Sequence, residues 1–162
     1  SYTIPSGLKS WHLDSIFTNL PHTMHIFMTT SKAQTGDYKS NPFNLQHFKL
    51  EYLAFQIENQ QQNITLTPDF TNGRYTTEYL ETVEQNKRDT VLEYGDFGAG
   101  FTIFTISISS GIRRSHNLAS SPASTRLLVR FSEDLPENIV LYVYARYFGQ
   151  FRIDRTKNVY LV

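Results

Sequence analysis

The chain of 162 residues contains no cysteine, which excludes a disulfide framework, thiolate metal sites and cysteine nucleophiles while leaving the redox compartment open. It also lacks net charge: fifteen Lys and Arg balance fifteen Asp and Glu. Nothing therefore draws the whole molecule toward phosphate backbones, and a dedicated nucleic-acid binder is disfavoured. No apolar run approaches the roughly 20 residues needed to span a bilayer. The first residues, Ser1 to Pro5, have neither the charged nor the apolar region of a signal peptide, so a soluble protein is expected. Alanine is scarce as well, with six residues against thirty-five Ile, Val and Thr and twenty-three aromatics. Branched and ring side chains fit a pleated, half-buried surface better than a helix, which predicts an all-β protein. The length predicts one domain, and a chain of about 150 residues buries roughly 70% of its unfolded surface, enough for a real core.

Short alternating runs separated by turn residues are the pattern of a sandwich or barrel. Strands are expected at residues 2–4, 10–17, 22–28, 49–58, 64–67, 101–109, 125–131, 138–147 and 151–154. In the 49–58 run, Glu51, Leu53, Phe55 and Ile57 share one face, and Leu50, Tyr52, Ala54 and Gln56 the other. A polar turn at 59–62 predicts a hairpin between this run and the next, which Pro68 ends. One segment breaks the period. Tyr75, Tyr79 and Val83 fall four apart with Leu80 beside them, and Glu78, Glu81 and Glu84 flank the stripe. That spacing predicts one helix near 74–87, its acids read as a solvated face. Residues 29–40, 95–100 and 109–124 are expected as loops, the last rich in Ser with Gly111 and Pro122.

Catalytic and metal-binding motifs are absent from the sequence. His22 and His25 are three apart on an expected strand, on opposite faces, and His12, His47 and His116 are isolated, so ordinary hydrogen-bonded or surface histidines are the favoured reading. No nucleophile elbow, phosphate loop or H-E-x-x-H pair occurs. The glycines at 95, 98 and 100 precede an expected strand, whereas a phosphate cradle opens a helix. Asn63-Ile64-Thr65 is a glycosylation tripeptide, relevant only on the secretory route. What remains is the aromatic load. Tyr142, Tyr144, Tyr147, Phe148 and Phe151 crowd the last strands, more than one core absorbs, and aromatics with Arg are enriched where proteins meet. The candidate contact residues are Arg113 and Arg114 in the 109–124 loop, Tyr38 in the 29–40 loop, and the single tryptophan, Trp11. The sequence favours an interaction module over an enzyme, with no cofactor.

Residues 41–61, NPFNLQHFKLEYLAFQIENQQ, followed by Pro68-Asp69-Phe70 and the aromatic helix at 75–83, resemble the carboxyl-terminal half of the major capsid (hexon-like) proteins of Polinton/Maverick elements and adintoviruses. Gly100 to Phe104 is similar to that family's glycine-aromatic strand, LLVRFSEDLP at 127–136 and residues 140–144 to its penultimate strands, and Ile153-Asp154-Arg155 with Asn158-Val159 to its terminal signature. The similarity runs from Tyr2 to Val159, and its specificity lies in the order of the motifs. It implies an antiparallel β-sandwich, a single jelly roll of about eight strands over residues 1–162. Those proteins carry two jelly rolls in tandem, and three copies form a pseudo-hexagonal capsomer. This chain holds one roll, so the resemblance implies an excised second half, a single-roll relative or a domesticated host protein. It further implies a structural role by self-assembly, in a virion capsid or, if domesticated, inside a cell. Expected partners are further copies or a companion jelly roll, in a trimeric or pseudo-hexameric assembly, with no membrane and no direct nucleic-acid site. The alternative is a recognition module for a glycan or receptor, motivated by the loops, Trp11 and the tyrosines. A metal-dependent enzyme on the same fold would need clustered His and Glu.

Overall fold

The computed structural model describes residues 1–57, 62–86, 91–108, 124–147 and 151–161. In chain order the strands are β1 (Tyr2–Ile4), β2 (Ser10–Asp14), β3 (Thr23–Thr30), β4 (Leu50–Ile57), β5 (Gln62–Leu66), β6 (Phe104–Ser107), β7 (Thr125–Phe131) and β8 (Ile139–Arg146). They form two antiparallel four-stranded sheets, ordered β1-β8-β3-β6 and β2-β7-β4-β5. The chain changes sheet at every step except the β4-β5 hairpin. This is the connectivity of a jelly roll, two sheets wound together as Greek keys.

The alternation of side chains explains the core. Met24, Ile26 and Met28 of β3, Ile139 and Leu141 of β8, and Phe104 and Ile106 of β6 point inward from the first sheet. Leu53, Phe55 and Ile57 of β4 and Leu127, Val129 and Phe131 of β7 meet them from the second. Each such side chain contributes about 1.5–3 kcal/mol on burial. A bulge in β4 changes the expected faces. Leu50 opposes Phe131 and Tyr52 opposes Arg130, so Glu51 is the extra residue. Leu50 therefore points into the core with Leu53, while Glu51 and Tyr52 both turn outward.

Among the described residues three helices interrupt the strands. The expected 29–40 loop holds α1 (Ser31–Thr35). Thr30 caps it by accepting from the Ala33 N–H at 3.3 Å, and Gly36 ends it at φ 89°, the left-handed conformation glycine adopts without strain. The central helix, α2 (Thr76–Gln85), matches the expected one, but its buried face is rotated. Glu78 and Thr82 are buried while Leu80 is about half exposed. The reading of Glu78 as solvated is thus corrected: its Oε1 accepts the Thr67 N–H at 3.2 Å. That bond ties α2 to the end of β5, while Thr82 donates to the Ile103 carbonyl at 2.6 Å and holds α2 against the start of β6, an edge strand of the first sheet. The expected turn at 95–100 begins instead as α3 (Tyr94–Gly98), anchored by Phe97, which is fully buried. Two shorter strands, β9 (Phe151–Ile153) and β10 (Val159–Leu161), pair with each other and belong to neither large sheet. Two further expectations are trimmed. The 10–17 strand stops at Asp14, before Ser15 at φ 54°. The strand expected from 101 starts at Phe104, with Phe101 exposed. Of the 109–124 loop, residues 109–123 lie outside the described residues.

Candidate interaction surfaces

The two sheets differ on their outward faces. On the second sheet, Arg126 pairs with Asp14, and Arg130 donates to Glu51 at 2.7 Å while lying 5.1 Å from the Tyr52 ring centroid. The bulge at Glu51 makes this possible, because it places Glu51 and Tyr52 together on the side of Arg130. These are exposed ion pairs on a polar face, the pattern of a surface that faces water.

The first sheet is aromatic on its outer side. Registry places His25 opposite Tyr144 and Phe27 opposite Tyr142. The Phe27 and Tyr142 rings stack with centroids 5.1 Å apart and planes 10° from parallel, and His25 stacks on Tyr144 at 6.0 Å. The His25 Nδ1 is 3.1 Å from the Thr105 hydroxyl on β6. Burial holds the His25 pKa below its ordinary value, and the Arg146 guanidinium lowers it further. Tyr144 is 59% exposed. Beside these rings a cleft of about 630 Å³ opens between the sheet, the end of α2 and the 91–103 segment, with Val91, Phe101 and Arg146 in its lining. Val91 is fully exposed and Phe101 is 53% exposed. Exposed apolar groups gathered in this way mark contact sites more often than scattered ones do.

A third arrangement is structural in character. His47, Phe70, Tyr75 and Tyr94 form a continuous column of stacked rings with successive centroids 3.9, 4.9 and 4.5 Å apart. Phe97 and Phe104 join its flank and tie it to the core. The His47 Nδ1 accepts the Lys49 N–H at 2.9 Å, which assigns the proton of the neutral ring to Nε2. Burial, then Lys49, lowers the His47 pKa. Phe48 and Lys49, which follow His47 in the chain, both adopt left-handed backbone, at φ 46° and 52°, a conformation that side-chain-bearing residues rarely take.

Of the residues singled out in the sequence, Tyr38 is 90% exposed, with the Lys39 ammonium 5.5 Å from its ring centroid. It stands on a loop fixed by Asp37, whose carboxylate accepts from Lys39 N at 3.1 Å and Ser40 Oγ at 3.0 Å. Trp11 is half-buried on β2, packed on the core with the Tyr2 ring 6.1 Å away. Tyr38 and Trp11 are not brought into the aromatic face, and Arg113 and Arg114 lie outside the described residues. Asn63 is exposed on the edge strand β5. Among the described residues no three His, Asp or Glu converge as metal ligands, and no helix is long and apolar enough to cross a membrane. The sequence signalled Tyr142 and Tyr144 through their alternation. It gave no signal for His25 and Phe27, which join them through the β3-β8 pairing, or for Val91 and Phe101, which lie outside the strands and reach the same cleft from the 91–103 segment.

Fold and surface define a jelly-roll β-sandwich with one polar and one aromatic outer face. No protein-family model, curated protein or solved structure matches the chain.

Proposed function

We propose that this chain is a structural, capsid-type jelly roll of the hexon-like kind whose work is self-association, with itself or with a companion jelly roll, rather than turnover. The observation that carries the reading is the asymmetry of the two outer faces. One sheet is neutralised by ion pairs, whereas the other presents Phe27, Tyr142 and Tyr144 beside an open cleft. Tyrosine is among the residue types enriched in the few positions that dominate binding energy at protein contacts. The resemblance of its ordered motifs to Polinton/Maverick and adintovirus capsid proteins supports the capsid part of the reading, which puts the protein in a virion or, if domesticated, in a host cell. Sedimentation over a wide concentration range is expected to show concentration-dependent oligomers. Tyr144→Ser is expected to shift them toward monomer while the far-UV circular dichroism spectrum keeps its β-sheet shape. A wild-type chain that stays monomeric, alone and with a matching first jelly roll, overturns the reading.

A second reading, recognition of a glycan, is favoured by the stacked rings beside Arg146 in the same cleft, since sugar faces pack on aromatic rings while their hydroxyls accept from guanidinium groups. Saturation-transfer NMR against a broad glycan panel tests it, and silence across the panel eliminates it.

A further inference from the structure

Two adjoining hollows, away from the aromatic cleft, meet at one short segment of chain. The first, of about 460 Å³, is bounded by residues 44–49 and 98–100; the second, of about 350 Å³, lies among the end of β3, α1 and the loop that follows it, and Asn44 and Gln46 line both. The segment that carries these two residues is fixed through its backbone. Leu45 N donates to the Gly100 carbonyl at 2.7 Å, Thr102 N to the Leu45 carbonyl at 2.9 Å, and Gln46 N to the Met28 carbonyl at 3.0 Å. Gly100, at φ 120°, lets Asn44 approach, because a Cβ there would stand 2.6 Å from Asn44 Oδ1. Among the described residues neither side-chain amide is bonded within the chain.

The charges around the hollows cancel. Lys32 pairs with Glu137 at 3.4 Å and Lys49 with Glu133 at 2.8 Å. Asp37 is engaged by its own turn, and the Lys39 ammonium lies by the Tyr38 ring. Three lysines thus stand against three carboxylates in the lining, and no net charge selects an ion. Thr29, also in the lining of the second hollow, continues the outward row of β3 after His25 and Phe27. It is 3% exposed, and its hydroxyl has no hydrogen-bond partner in the chain, a rarity in a folded protein. Uncommitted neutral polar groups over compensated charge suit a neutral, hydrogen-bonding ligand. A side-chain amide sets an acceptor oxygen beside a two-proton donor, the complement of neighbouring hydroxyls that each donate and accept.

We propose that this double hollow binds an uncharged oligosaccharide, with the Asn44 and Gln46 amides bonding neighbouring hydroxyls where the two hollows join. The site is separate from the cleft beside Tyr144 and holds whether or not the chain associates with itself.

NMR titration of isotope-labelled full-length protein with maltotriose, cellotriose and triacetylchitotriose tests it. At least one sugar is expected to shift the side-chain amide signals of Asn44 and Gln46 saturably at millimolar concentration. Asn44→Ala/Gln46→Ala is expected to weaken that binding about tenfold while the rest of the spectrum stays native. Trigalacturonic acid, which carries carboxylates, is expected to bind no better than the neutral sugars. Silence with all three neutral sugars overturns the proposal, as does wild-type affinity in the double variant or a preference for the acidic sugar. Shifts confined to His25, Tyr144 and Arg146 overturn it too, while leaving glycan recognition in the aromatic cleft standing. Equal shifts with acetyl-trialanine amide overturn the assignment to sugar in favour of a peptide.

Discussion

Gly98 lies directly against the ring of Tyr75: a Cβ at position 98 would stand 2.9 Å from the tyrosine Cζ and nearer still to its hydroxyl. Tyr75 has nowhere to retreat, because it is stacked between Phe70 at 4.9 Å and Tyr94 at 4.5 Å. The glycine is therefore required by packing rather than by backbone conformation. It lets α3 approach the aromatic column that connects the 44–50 loop to the helical segment.

Gly98→Ala is expected to destabilise the fold by about 1–3 kcal/mol, the range for overpacking a filled site. Gly95→Ala, in the same helix with nothing within 4 Å of its Cβ position, is the control, expected to be neutral or stabilising by up to about 1 kcal/mol. Urea denaturation of the two variants decides the matter. Equal midpoints would show that the column yields to a methyl group.

The carboxyl of Glu78 joins α2 to the end of β5 through Thr67 N. Replacing it with alanine removes a buried acceptor and is expected to cost about 1–3 kcal/mol. Glu78→Gln keeps an oxygen at the same reach and is expected to retain most of the stability. Amide hydrogen exchange at Thr67 reports the bond itself: protection lost in the alanine variant and kept in the glutamine variant is the expected pattern.

These residues show where sequence reasoning stopped. The eight sandwich strands were legible because alternation is local, as in Met24, Ile26 and Met28, and because Pro68 and Pro136 punctuate the runs. Helix α2 was legible from Tyr75, Tyr79 and Val83. Its rotation was not, because Glu78 and Thr82 turn inward only to meet Thr67 and Ile103, which lie 11 and 21 residues away. Helix α3 was hidden by its two glycines, which lower helix propensity, and is held by the tertiary burial of Phe97. The aromatic face was half legible. Tyr142 and Tyr144 were visible as an excess, but their partners Phe27 and His25 are set by strand registry across more than a hundred residues.

Phe104 is fully buried and touches both the column, through Phe70 and Phe97 at 6.1 Å each, and the inter-sheet core. Phe104→Ala is expected to cost about 3–5 kcal/mol. Because the site joins two clusters, the loss is also expected to lower hydrogen-exchange protection in α2 and α3 along with that of β6. Protection lost in β6 alone would separate the column from the core.

Two histidines give the fold a defined response to acid. His25 and His47 both titrate below 6.5, each chiefly because it is partly buried, with Arg146 and Lys49 adding repulsion. Between the lowered folded values and 6.5 the unfolded chain binds more protons than the folded one, so stability rises with pH across that window. On acidification it is lost as pH falls through 6.5 toward the lowered values, and this contribution levels off below them. Asp69, lowered from 3.8 chiefly by its hydrogen bond from the Asn72 side chain, acts in a separate and more acidic window, where stability is lost as pH falls below 3.8. Denaturation midpoints measured between about pH 7.5 and about pH 5 are therefore expected to decline for wild type and to decline less for His25→Gln/His47→Gln. A double variant with the wild-type slope would show that neither imidazole changes its proton occupancy on folding.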